Sequence, residues 1–188
     1  MKEVKEIILF VIGFMPWLLF LFISGHSLSS LERAIVICLL SCLVFNFREL
    51  RRQYVLQLGT LFFFVAIFIA VNLLKIIWVA ENMGILSNTF LAVIIWLTIA
   101  IGKPFTLQYA RAELPKEKWN DIKLIKGCRF IAMIWGFLLS FSAVVSLYQV
   151  FRPNKYPKWI YFYISLVIIF LGIGFTTAYK HYKRKKRQ

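Results

Sequence analysis

Apolar runs of about 20 residues recur along this chain, and each is closed by a turn that carries charge. The first reads IILFVIGFMPWLLFLFI, from Ile7 to Ile23. Runs of that length are too long for core strands and too densely apolar for amphipathic helices. Hydrophobic residues make up 61% of the 188, whereas a soluble domain holds about 45–50%. A water-surrounded core cannot absorb such an excess, but a bilayer can. In hydrocarbon every backbone N–H and C=O must be satisfied within the protein, so the spans must be helices or a closed barrel. The runs lack the alternation of barrel strands, which leaves helices. The expected fold is all-α: a polytopic membrane helical bundle of six transmembrane helices in three hairpins, plus a short cytoplasmic interfacial helix, in a single integral membrane domain over residues 1–188.

The predicted spans are about 7–23, 30–47, 54–79, 85–101, 128–150 and 159–179, followed by a basic tail over 180–188. The first run resembles a signal peptide, but Met15-Pro16-Trp17 in its middle marks it as a retained helix that Pro16 kinks. Ser29 with Glu32 three residues on forms a capping-box pattern at the start of span 2. Glu81-Asn82-Met83-Gly84 ends span 3, and Gly102-Lys103-Pro104 ends span 4. Between Pro104 and Pro115 a short interfacial helix is expected, with Phe105, Tyr109 and Ala112 on one face. The fifth span has two possible starts, Ile122 or Cys128. Trp159, Tyr161 and Tyr163 at one end of span 6, with Tyr179 and Tyr182 at the other, suit aromatic belts.

The formal charge is +15, from 23 Lys and Arg against 8 Asp and Glu. In a water-soluble chain this would point to nucleic acid; here it is read as topological. With the N-terminus in the cytoplasm, eighteen basic residues fall on the inner side, four on the outer, and Lys75 inside a span. The positive-inside rule therefore puts both termini and the Lys103–Arg129 connection in the cytoplasm, where the tail and this connection would meet anionic lipid.

Few groups could carry chemistry. Lys75 stands alone among apolar neighbours, and intramembrane charges often mark function. With Asn72, Glu81 and Asn88 it would form a substrate or ion pocket; alternatively it snorkels beside Trp78 at the outer interface. Lys103, Thr106, Gln108, Tyr109 and Arg111 form a second candidate, a contact for anionic lipid or phosphate at a helix start. The plainer alternative is a structural elbow. Ala132, Gly136 and Ser140, spaced four apart, and Gly172 and Gly174 would let a helix approach closely, either another span or another copy of the chain. Cys38, Cys42 and Cys128 show neither a disulfide framework nor metal-ligand spacing. No spacing assembles a catalytic set, and no cofactor or metal is expected.

The stretch from Arg51 to Arg111 resembles small bacterial inner-membrane proteins related to intracellular septation protein A. The likeness lies in the Arg51-Arg52 turn, the hydrophobic helix after it, Asn88 followed by FLAVIIWLTIAIGKPF, and the Gly102-Lys103-Pro104 end. The segment TLQYAR departs from the septation protein. The resemblance implies a bacterial inner membrane and an envelope-related role without defined catalysis. Three functions follow in order: a non-enzymatic envelope or partner-scaffolding protein, with a membrane-protein partner or homo-oligomer; a small-molecule or ion transporter built around Lys75; and a lipid-headgroup-acting enzyme at the cytoplasmic elbow.

Overall fold

In the computed structural model, residues 13–24, 27–152 and 158–185 are described, and among them every regular element is helical. Five helical stretches have the length and apolarity to cross a membrane: Leu28–Phe45, Val55–Leu73, Met83–Ala100, Ile122–Phe151 and Tyr163–Lys183. The predicted crossing over 7–23 lies partly outside the described residues. The spans turn large apolar side chains outward, with Phe62 67% exposed, Phe137 63% and Phe170 60%. Water would penalise this surface over such an extent, and hydrocarbon does not. The protein is therefore a multi-pass membrane protein. The chain divides into two compact units, Met1–Met83 and Gly84–Gln188.

The first unit is built on α1 (Met15–Ile23), α2 (Leu28–Phe45), the one-turn helix α3 (Phe47–Arg51) and α4 (Val55–Ile67). Pro16 stands in the first turn of α1, where a missing N–H costs little, and Phe14 just ahead of it has left helical geometry (φ −97°, ψ 2°). The kink expected at this proline coincides with the interruption at Phe14, between helical Gly13 and α1. The cap of α2 is Ser27, two residues before the expected Ser29: its hydroxyl accepts from the Ser30 N–H at 3.2 Å. Glu32 does not close a capping box with Ser29; its carboxylate is held by Lys75. Ala34, Ile35, Cys38 and Cys42 form the fully buried stripe of α2. Trp17 packs on Phe63 and Phe64 of α4, both at 5.1 Å between ring centroids.

Span 3 departs from the expected straight helix over 54–79. After Ile67 the helix widens into a π-helical segment, Phe68–Leu73, and it ends there. Lys75 adopts a left-handed backbone (φ 53°). The Ile76 N–H reaches back six residues to the Ala70 carbonyl at 2.9 Å, and the Leu74 N–H five residues to that of Ile69 at 2.9 Å, so wide bonds close the end of the segment. Ile77–Glu81 then forms a separate short helix, α5.

The second unit holds α6 (Met83–Ala100, within the unit from Gly84), α7 (Phe105–Glu113), a 3-10 turn at Lys116–Lys118, α8 (Ile122–Phe151) and α9 (Lys158–Lys185). The Asp121 carboxylate caps α8 by accepting from the Lys123 N–H at 2.8 Å. The earlier of the two predicted starts, Ile122, is therefore the one used. At 30 residues, α8 is about 45 Å long, longer than a hydrocarbon core of about 30 Å. Its basic first turns continue the helix, because backbone bonds inside a helix do not depend on the surrounding solvent. Tyr161, expected at an interfacial belt, is buried.

Two tryptophans fasten the helices of this unit. The Trp96 indole of α6 lies over Gly136 of α8 and donates to the Ser140 hydroxyl at 3.1 Å. Trp135 of α8 is fully buried over Gly172 of α9 and donates to Thr176 at 3.0 Å. Thr176 in turn donates to the Gly172 carbonyl at 2.8 Å. Each ring needs a glycine beneath it: a Cβ at Gly172 would stand 2.7 Å from the Trp135 ring, whereas one at Gly174 would meet nothing within 4 Å. Gly172→Leu should therefore destabilise the protein by about 1–3 kcal/mol, read as a lower unfolding temperature in detergent, while Gly174→Ala leaves that temperature unchanged.

Candidate functional site

The turn between α6 and α7 is made by Gly102, at φ 76°, and by Pro104, which is buried. Thr98 near the end of α6 organises it. Its hydroxyl donates to the Ile95 carbonyl at 2.8 Å and accepts from the Phe105 N–H at 3.2 Å. One free donor at the start of α7 is thereby satisfied from within the unit. Phe105, Thr106 and Leu107 are all buried, so the whole first turn of α7 is embedded. The expected apolar face is only partly realised: Phe105 meets Tyr109 edge-on at 6.5 Å, but Ala112 is exposed.

The polar groups expected to receive an anion are mostly used internally. The Thr106 hydroxyl donates to the Cys128 carbonyl of α8 at 2.7 Å. Arg111 donates through Nε and a terminal nitrogen to the Trp119 carbonyl, at 3.3 and 3.2 Å, and its guanidinium lies 5.9 Å from the Trp119 ring. Trp119 closes the loop by donating to the Leu114 carbonyl at 3.0 Å. Gln108 and Tyr109 are half-buried and engaged within the chain. Lys103 is exposed. The segment thus braces the end of α6 against the start of α8. Around it the exposed charges are cationic at Lys116, Lys118, Lys123, Lys126 and Arg129, with Glu117 among them.

Two members of the Lys75 set, Lys75 and Asn72, both turn to Glu32 within the first unit. Lys75 Nζ lies 2.7 Å from the Glu32 carboxylate, with the lysine side chain 60% exposed. The Asn72 amide donates to the backbone carbonyl of the same Glu32 at 3.4 Å. The predicted partner Glu81 is exposed on α5. Asn88 belongs to the second unit, where it donates to the Ser146 hydroxyl at 2.9 Å. Between Asn72 and Glu81 the chain is shaped by the π-helical stop. It ends span 3 before Glu81 can share a helix with Lys75, and the left-handed turn directs the lysine to α2.

The small-residue stripe has found its neighbour inside the chain. Ala132 and Gly136 are buried, and Gly136 and Ser140 receive Trp96. Gly172 receives Trp135, whereas Gly174 is open. The indoles and Thr176 escaped notice in the sequence. The available signal was a Gly followed four residues later by Ser or Thr, facing a Trp on another span, since a buried indole N–H needs an acceptor. The same pairing occurs in the first unit, where Trp17 donates to Thr60 at 3.0 Å. Asn46, fully buried at the end of α2, reaches the Gly13 carbonyl at 3.5 Å and was likewise missed. Among the described residues no group of three or more His, Cys, Asp or Glu could hold a metal ion.

Fold and site together define a polytopic α-helical membrane protein whose polar side chains are spent chiefly on fastening its own helices. Compared with protein-family models, curated proteins and solved structures, the chain matches none.

The brace makes a measurable demand. Arg111→Met removes two hydrogen bonds to the Trp119 carbonyl, and Thr106→Val removes the one to Cys128. Each should raise amide exchange over residues 105–121 several-fold, as loss of about 1 kcal/mol of local stability would. Lys75→Met, which breaks an exposed ion pair, should shift the unfolding midpoint in detergent by less than about 1 kcal/mol.

Proposed function

We propose that this chain is a non-enzymatic, multi-pass protein of the bacterial inner membrane with an envelope-related, partner-scaffolding role. It crosses six times in three hairpins and carries both termini and the α7–α8 connection in the cytoplasm, against anionic lipid. One observation carries the reading: Thr106 and Arg111, the groups best suited to hold a substrate phosphate, are committed to backbone carbonyls of their own unit. An elbow closed in this way holds helices in place. The predominantly cationic exposed surface around it suits an anionic leaflet. Pairing of Lys75 with Glu32 weakens the transporter alternative, since the lysine charge is balanced at an exposed position. The resemblance of Arg51–Arg111 to relatives of intracellular septation protein A points the same way.

A strain lacking the gene should show altered cell length or envelope integrity, restored fully by Lys75→Met and by wild type. Failure of a normally expressed Lys75→Met protein to restore it would favour a transporter. Reporter fusions at residue 1 and residue 188 should both read cytoplasmic, and opposite compartments would overturn the topology.

A further inference from the structure

Along the outer side of α9 two rows of side chains, each spaced four residues apart, run side by side. Val167, Leu171, Phe175, Tyr179 and Lys183 form one; Phe170, Gly174, Ala178 and Tyr182 form the other. Adjacent i, i+4 ridges enclose a furrow. Here it is a groove lined by Val167, Phe170, Leu171, Gly174 and Phe175. Gly174 opens its floor, since nothing stands within 4 Å of where its Cβ would be. The helix is poorly covered: 17% of its spanning window is buried, against 33–39% for the other four.

The groove leads to a polar end. Phe175 stacks on Tyr179 at 6.2 Å, and Phe130 of α8 packs on both, at 6.0 and 5.4 Å. Lys183 Nζ lies 5.6 Å from the centre of the Tyr179 ring. A Cβ at Gly127 would stand 3.6 Å from the Tyr179 hydroxyl, which puts the first turns of α8, with exposed Lys126, beside the same tyrosine. From Val167 to Lys183 the helix rises about 24 Å, close to the roughly 20 Å depth of one leaflet with its headgroups.

We infer that this face of α9 is a discrete binding site for one anionic phospholipid. An acyl chain occupies the groove at Gly174, and the phosphate lies between Lys183 and Lys126 above the aromatic cluster. Charge complementarity selects the occupant: the apolar groove accepts any chain, but its polar end is flanked by cations. The inference rests on the reading above only for which leaflet supplies the lipid.

The test is native mass spectrometry of the full-length protein in detergent, with equal amounts of phosphatidylglycerol and phosphatidylethanolamine. The wild type should retain phosphatidylglycerol preferentially. Lys183→Gln and Lys126→Gln should each reduce that preference about fivefold without changing retention of phosphatidylethanolamine. Gly174→Leu should reduce retention of both lipids, its folding checked by its unfolding temperature in detergent without added lipid. No preference in the wild type, or a preference that survives both lysine substitutions, overturns the site. If the preference behaves as expected while the terminal fusions read opposite compartments, the topology fails and the lipid site stands.

Discussion

Hydrocarbon offers no hydrogen-bond partner to a peptide group. Every other feature of this protein follows from how its backbone and polar side chains find partners among themselves. The helices answer for their own interiors. What remains are the ends and the contacts between helices, where burying apolar surface gives little drive because lipid tails are as apolar as leucine. The indole-to-hydroxyl bonds meet that need. Trp17 on Thr60 serves the first unit, and Trp96 on Ser140 with Trp135 on Thr176 serves the second. In the second unit each ring also packs closely against a glycine, so dispersion contact and hydrogen bond act at one place. The partners run in opposite order along α6 and α8: Asn88 meets Ser146, and Trp96 meets Ser140. Two polar contacts at different depths fix both direction and register.

The helix ends obey the same demand. Thr98 supplies an acceptor to the first turn of α7, Asp121 does so for α8, and Ser27 for α2. At Lys75 the chain ends a span with a left-handed residue that is not glycine. That conformation costs roughly 1 kcal/mol or more. The side chain it displays is grasped by Glu32, whose backbone carbonyl is also held by Asn72. A lysine alone among apolar neighbours and an acid of another helix, far apart in sequence, become one contact joining α2 to the end of span 3.

Much of this was legible beforehand. The membrane class and most span positions follow from run length and composition, because a helix in lipid satisfies its backbone locally. The brace segment between Pro104 and Pro115 was also visible, since both prolines act on their immediate neighbours. The internal use of Thr106 and Arg111 was not visible, because their acceptors, the carbonyls of Cys128 and Trp119, are backbone atoms that every residue possesses. The contact of Lys75 with Glu32 was hidden for a related reason. A π-helical segment has no sequence signature as plain as a proline, and it changed which residues shared a helix.

The order of amino acids by itself determined that the chain is helical, apolar on nearly all sides and divided by charged turns, since those properties depend on each segment and its solvent. Tertiary structure alone decided which polar groups are spent and which are left at the surface. A hydroxyl, an amide or a guanidinium is suited equally to a ligand and to a neighbouring carbonyl, and only the distance between helices selects one of them.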